Sequence, residues 1–313
     1  VALRIRPARR SAALALAVGL CLTPASGCTD SGPAGAAPSE SVDWGAVGRA
    51  IGRPLTVEEG GVHTASWLRT DLHVVNADVT ENPGMELGAE ASFHETTPGK
   101  TVLIGETTLT GDEVHKVADR LEQGGVEVTA IHKHLQDESP RLWWLHYAGY
   151  GDPVATARTV HDALAQTGIP RQQPEEKEQP VDLDTAALDR IIGTKGSNEH
   201  GTYHFHVPVA QKVTDTRADT VLPYLMEAST LLMFQPLGDG RAAVNGDFAM
   251  TADQVNSVIK ALRSHGLEII ELHNHMLHEQ PRLFYAHFWA TGDASTLARA
   301  LRAGLDQMHA PHS

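Results

Sequence analysis

A fifteen-residue pattern occurs twice in this chain, and the repetition constrains its fold more than any other feature. The first copy carries His132, His134, Glu138, Pro140, Arg141 and His146; the second carries His273, His275, Glu279, Pro281, Arg282 and His287. Every position recurs 141 residues later, and the halves align without gaps from Thr101/Ala242 to Asp152/Asp293. The chain is therefore an internal duplication, and each half is long enough to bury a core of its own.

The aligned stretch reads as local structure. Thr110 with Glu113, and Thr251 with Gln254, have capping-box spacing and open a helix in each half. Val114, Val117, Ala118 and Leu121 follow at helical spacing, as do Val255, Val258, Ile259 and Leu262. A strand ending in the His-x-His pair comes next, then a turn at Pro140 or Pro281 and an aromatic strand, Leu142–Tyr147 or Leu283–Phe288. Asp152 and Asp293 are N-caps for a last helix. Upstream, Asp71–Val74 corresponds loosely to His204–Val207 as part of two or three further strands. The expected fold is α+β: a β-β-β-α-β-β-α unit used twice, giving two antiparallel or mixed sheets, each covered by helices and related by a pseudo-two-fold axis.

The flanks differ in composition. Arg4, Arg6, Arg9 and Arg10 precede a short apolar run, Ser11–Leu22, and then Ala25-Ser26-Gly27-Cys28. This is the pattern of a secretory signal ending in a lipobox, with Cys28 as the lipidated residue. Residues 1–28 are assigned to signal peptide and lipobox, and 29–42 to a flexible tether. The first repeat domain is placed at 43–170, a polar linker at 171–182 and the second repeat domain at 183–310. The other cysteine, Cys21, lies inside the apolar run, so cysteine catalysis and disulfides are excluded from the mature chain. The formal net charge is −14, and the signal segment holds four arginines and no acid. A domain this acidic repels phosphate backbones, which excludes nucleic acid as a partner. The membrane is reached through the anchor at Cys28, which places the protein outside the cytoplasmic membrane.

Longer runs carry a resemblance. Asn245-Gly246-Asp247-Phe248, Leu272-His273-Asn274-His275-Met276-Leu277 with Glu279, Pro281-Arg282-Leu283-Phe284 and His287-Phe288-Trp289 resemble the LppY/LpqO family of actinobacterial lipoproteins. The resemblance covers nearly the whole mature chain. It implies a lipid-anchored protein and no particular activity, since that family has no established function. The second half matches more closely; the first departs at Lys133 and at Trp143-Trp144.

Three readings of the repeated signature stay open. In the first, two imidazoles on one strand face and a third on the antiparallel neighbour bind a divalent transition metal, with zinc or manganese suited to neutral imidazole. His273, His275 and His287 form one such set; His132, His134 and His146 form the other. This requires that Leu142 lie opposite His134, because a one-residue slip sends His146 to the other face. Glu271 or Glu279 is then the candidate ligand or general base of a metal-dependent hydrolase. Glu138, Glu106 and Asp247 are further carboxylates in reach of the argument. In the second reading, the protein is a non-catalytic binding lipoprotein for a small envelope ligand or a metal ion. Arg141 and Arg282 would fork a carboxylate or phosphate, and the aromatic stripe would stack on it. In the third, the histidines are satisfied core residues of a structural or interaction module. His204 and His206 share a strand face and stand as supplementary ligands to the second set.

Overall fold

Strands that are apolar on both faces need cover on both faces, and this requirement organises the molecule. In the computed structural model, which describes residues 41–173 and 179–308, each half forms a six-stranded sheet with helices. The signal segment, the lipobox, most of the tether and the middle of the linker lie outside the described residues.

The first half runs α1 (Trp44–Ile51), β1 (Thr56–Glu58), β2 (Val62–Leu68), β3 (Val75–Asn76), β4 (Val79–Thr80), β5 (Gly88–Thr97) and β6 (Lys100–Thr110). It continues with α2 (Gly111–Gln123), β7 (Glu127–His132), β8 (Glu138–Ser139), β9 (Leu142–Gly151) and α3 (Pro153–Leu164). The second half repeats this order through α4 (Thr185–Ile192), β10 (Ser197–Glu199), β11 (Thr202–Pro208), β12 (Thr214–Asp215), β13 (Thr220–Val221) and β14 (Ser229–Gly238). It ends with β15 (Arg241–Met250), α5 (Val255–Ser264), β16 (Glu268–His273), β17 (Glu279–Gln280), β18 (Phe284–Asp293) and α6 (Ala294–Leu305). The sheet orders are β1-β2-β5-β6-β9-β7 and β10-β11-β14-β15-β18-β16, with every neighbouring pair antiparallel. The short strands form two small sheets, β4-β3-β8 and β13-β12-β17, that brace the hairpin carrying the histidines.

Four details correct the sequence reading. Six strands, two of them short, precede the middle helix of each unit where three were expected, and three follow it where two were expected. Each unit begins with a helix, because Asp43 and Asp184 cap α1 and α4 through the N–H groups of Ala46 and Ala187. Asp71–Val74 is turn and loop, and β2 is the first-half equivalent of β11 that was expected there. The helix expected to open at Thr251 starts only at Val255, with Gln254 at the N-cap and no side-chain cap bond, while other expectations hold locally. Thr110 and Glu113 form the full capping box, and Asp152 and Asp293 cap α3 and α6.

The strand faces divide the core. Phe93, Leu103, Leu145 and Tyr147 point at Val47, Val117, Leu121 and Val160 of the helices. Phe205, Phe234, Phe248 and Phe288 do the same toward Leu188, Val258, Leu262 and Leu301. The opposite faces meet each other. Val62, Val102 and Ile104 pack on Met226, Ala249, Met276, Leu283 and Tyr285. Leu87, Leu135, Leu142 and Trp144 pack on Ala243 and Trp289. The layers are therefore helix, sheet, sheet, helix, within a single compact unit from Ser39 onward. Polar ties cross between the halves: Asn82 N donates to Gln235, and Lys133 N donates to Glu271. No helix among the described residues is long and apolar enough to cross a membrane.

Glu81 breaks the repeat. Its N–H bonds Val74 O as that of Leu222 bonds Val213 O, so the two occupy equivalent positions, yet Leu222 sits in the core. Glu81 is buried with both carboxylate oxygens unpaired, and burial pushes its pKa up to about 8 from an ordinary value near 4.5. In that window the unfolded chain has released the proton and the folded chain has not, so stability falls as pH rises. Glu81→Leu should stabilise the protein by roughly 1–3 kcal/mol at pH 8, and by less at pH 5. Urea unfolding at both pH values checks this; a gain independent of pH would contradict it.

Candidate functional site

The strand register brings the histidines to one layer. Trp144 lies opposite His132, and Tyr285 opposite His273, on β9 and β18. This is the register with Leu142 facing His134, and it leaves His132, His134 and His146 on the face turned toward the other sheet. Because both sheets present that face, the two expected sites are not separate: all six signature histidines lie together between the sheets. Each expected set comes within ligand reach, His132 with His134 and His146, and His273 with His275 and His287, and face-to-face packing sets the two side by side, with His132 in reach of both.

The rings interleave across the pseudo-two-fold axis. His132 stacks on its own counterpart His273 at 3.6 Å between centroids. His134 stacks on His287 at 3.8 Å, and its symmetry mate, His146 on His275, at 3.9 Å. Trp144 and Tyr285, from the same position in each half, back His134 at 4.2 Å and His275 at 3.7 Å. Within each hairpin the Nε2 atoms of the His-x-His pair are 3.0 Å apart, His132 to His134 and His273 to His275. Two nitrogens ligating one ion through bonds of about 2.0–2.1 Å sit about 3 Å apart, so the spacing suits a shared cation as well as one N–H···N bond.

Partners outside the ring layer orient the imidazoles. His287 Nδ1–H donates to Gly246 O at 3.0 Å, which turns its Nε2 lone pair into the cluster. Gly246 has φ +129, and a Cβ there would meet Leu231 O at 2.0 Å, so only glycine lets this carbonyl approach. His275 Nδ1 contacts Glu227 Oε2 at 2.6 Å, which directs its Nε2 toward His273. Nε2 of His287 and Nδ1 of His132 and His273 are buried without a hydrogen-bond partner among the described residues. One donor atom from each of His132, His273, His275 and His287 lies within 4.8 Å of the others. So do sets from His132, His134 and His146, and from His146, Glu227 and His275. These groups can hold a metal ion.

Burial first, and then the neighbouring imidazoles, hold His132, His134 and His273 well below the usual histidine range. His287 is lowered in the same way, and His275 falls to about 4. Neutral imidazole is the ligating form. His146 departs from its five companions. Burial pulls it down, but Glu106 at 3.0 Å and Glu227 at 3.4 Å outweigh that and raise it to about 10. His287, its counterpart, faces a carbonyl instead, so the nominal symmetry is broken electrostatically and the second half supplies most of the neutral donors.

Sequence reasoning missed the acids that matter most here. Glu227 and its counterpart Glu86 contact His275 and His134 respectively, the latter at 3.3 Å. Both have left-handed backbone, with φ 61 and 55, a conformation costing roughly 1–2 kcal/mol for a residue with a Cβ. The signal was present: Met85-Glu86 recurs as Met226-Glu227 at the same 141-residue offset, in segments that otherwise match poorly. A cleft of about 230 Å³ reaches the cluster, lined by Glu86, Glu90, Glu106, Glu227, Asp247 and His275 among others. Burial and mutual repulsion raise Glu86 and Asp247 far above the carboxylate range, and burial brings Glu90 to about 7. Burial also raises Glu227, but His275 and His146 outweigh it and hold Glu227 well below that range.

The remaining predicted residues are placed elsewhere. Glu279 is fully buried in its hairpin, accepting from Leu283 N at 3.2 Å and paired with Arg282 at 3.0 Å. Glu138 does the same with Leu142 N and Lys133. Arg282 donates to Met276 O and Leu277 O, and exposed Arg141 to Gln136 O, so both guanidiniums close their own loops. Glu271 accepts from Lys133 N of the other half. None of these five belongs to a His/carboxylate group within ligand reach among the described residues. Of the aromatic stripe, Trp144, Tyr147, Tyr285 and Trp289 are buried and Trp143 is exposed.

A family described as Domain of Unknown Function (DUF1259) matches residues 45–166 and again residues 186–307. No curated protein matches the chain. Among solved structures, the trimeric bacterial microcompartment shell protein PduB aligns at 13% identity over 80% of this chain and 89% of that one, with a TM-score of 0.21. The double-ringed trimeric shell protein MSM0271 from the RMM microcompartment aligns at 14% identity over 68% and 85%, with a TM-score of 0.20. EtuB from Clostridium kluyveri aligns at 10% identity over 81% and 89%, with a TM-score of 0.19. Likeness at this level carries no argument about fold or function.

Removing the Glu279 carboxylate leaves the buried Leu283 N–H without its acceptor and takes the ion-pair partner from Arg282. Glu279→Ala should lower stability by about 2–3 kcal/mol, read as a shift of the urea midpoint. An unchanged midpoint would show that the carboxylate has no part in holding the hairpin.

Proposed function

The chain belongs to the family described as Domain of Unknown Function (DUF1259), carrying two copies of that domain, and from this premise we propose that it binds a divalent transition metal between its two sheets. The ligands are His132 from the first half with His273, His275 and His287 from the second. The observation that carries this reading is the orientation of His275 and His287. Glu227 and Gly246 O occupy their Nδ1 atoms and so point both Nε2 lone pairs inward, as outer partners of metal-bound histidines do. Four neutral imidazoles suit zinc, and also manganese or another ion of the same series. His134 and His146 complete the ring stack around that centre.

Protein purified without a His tag should retain a transition metal through dialysis, measured by elemental analysis. His275→Ala combined with His287→Ala should remove the equivalent held between the sheets, and Glu227→Gln should weaken its affinity about 10–100-fold. Saturating zinc or manganese at about 100 times its dissociation constant should stabilise the parent by about 2.7 kcal/mol. No retained metal and no stabilisation by either ion would overturn the reading.

A catalytic version is favoured by the cleft. It meets the centre along Glu227, His275 and Glu106. In that version the ion would supply an activated water for hydrolysis, and Glu106, which lines the cleft and pairs with His146, would act as the base in place of Glu271 and Glu279. The non-catalytic alternative is a lipoprotein that holds the ion or a small envelope ligand.

We also place the protein on the outer face of the cell membrane, as in the lipoprotein family its motifs resemble. The support is the basic segment, the short apolar run and Cys28. Cys28→Ala should release the chain from membranes and remove its lipid label; a variant that stays membrane-bound and labelled would contradict this.

A further inference from the structure

The pseudo-two-fold relation fails at one more place, on the wall of the same cleft. On β11 the second half carries His204 and His206, where β2 of the first half carries Thr64 and Ser66. Thr64 pairs with Ser92 and Ser66 with Glu90, as His204 pairs with Met233 and His206 with Leu231. Two residues apart on a strand, both imidazoles lie on one face. Glu199, at the end of β10, reaches the same face. One donor atom from each of Glu199, His204 and His206 lies within 4.8 Å of the others, and all three line the cleft.

The hydrogen-bond inventory shows what that group needs. Thr202 Oγ1 lies 2.6 Å from Glu199 O, to which its hydroxyl donates. It can then only accept from His204 Nε2, at 2.7 Å. Nε2 of His204 therefore carries a proton, and in the neutral ring Nδ1 presents a bare lone pair. That lone pair faces Glu199 Oε2 at 3.1 Å. Two lone pairs at this separation repel unless a cation lies between them. A proton on Nδ1 would serve Glu199 and His204 alone. A metal ion serves these two and also His206, whose Nε2 is 3.9 Å from Glu199 Oε1. Ser197 Oγ donates to that same Oε1 at 2.8 Å and fixes the carboxylate from behind. A carboxylate, two imidazoles and an outer hydroxyl that sets the tautomer are the parts of a divalent-metal site.

We propose that Glu199, His204 and His206 form a second divalent-metal site, found only in the second half, on the wall of the cleft that also reaches the centre between the sheets. Three protein ligands leave coordination positions open to the cleft, so the ion is available to a ligand that enters it. This site shares no ligand with the intersheet centre and stands or falls independently of it.

The test is titration of the tag-free full chain with Co²⁺, read by visible absorption and by bound stoichiometry. His204→Ala with His206→Ala should remove one equivalent. His275→Ala with His287→Ala should leave that equivalent in place, so failure of the intersheet reading still leaves this site measurable. Thr202→Val, which keeps the ligands and removes the tautomer lock, should weaken this equivalent about 10–100-fold. Where the double variant does not fold, His206→Gln at a partly exposed position replaces it and should show the same loss. The proposal is overturned if the parent binds no Co²⁺. It is equally overturned if the His204/His206 variants bind as many equivalents at unchanged affinity, which would identify a protonated His204–Glu199 ion pair.

Discussion

Six imidazoles buried between two sheets are the constraint on which the rest of this structure depends. A polar ring removed from water costs about 1–3 kcal/mol for each nitrogen left without a partner, so a layer of them persists only if the surroundings are built to hold it. Apolar packing holds it at both ends, with Leu142 and Trp144 in one cluster and Leu283 and Tyr285 in the other. The rings hold one another by stacking, and the flat faces of Trp144 and Tyr285 close the stack. Helices cover only the outer faces because the inner faces are occupied by each other.

The electrostatic consequence is a strongly polarised interior. Carboxylates from both halves, Glu86, Glu106, Glu227 and Asp247, point toward imidazoles that burial keeps mostly neutral. His146 compensates by taking a proton between Glu106 and Glu227. A divalent ion on the remaining nitrogens would relieve the same imbalance with fixed geometry, which is why the metal reading and the electrostatics agree. Left-handed backbone at Glu86 and Glu227 fits this picture, since local strain is retained where it aims a side chain at a demanding site.

Duplication supplied the layer, and divergence gave its two ends different chemistry. Glu106 faces His146 where the shorter Asp247 stands opposite His287, and His287 turns to a backbone carbonyl instead. Glu81 intrudes where Leu222 packs, and His204 and His206 replace Thr64 and Ser66. The first-half departures noticed in the sequence, Lys133 and Trp143, lie at the hairpin rim: Lys133 binds Glu138 and stacks over Trp143.

The sequence by itself determined the duplication, the helix caps at Thr110, Asp152 and Asp293, and the His-x-His hairpin, because each is a local pattern of a few residues. It also made the register of β9 against β7 a condition that the aromatic strand could meet. Only the tertiary structure decided that the two sets meet in one layer, since sheet-on-sheet packing joins residues 141 positions apart without leaving a mark on either copy. It likewise decided the roles of the acids. Glu279 and Glu271 sit near the histidines in sequence but spend their carboxylates on backbone N–H groups. Glu86 and Glu227, far away in sequence, reach the rings because a left-handed turn aims them there.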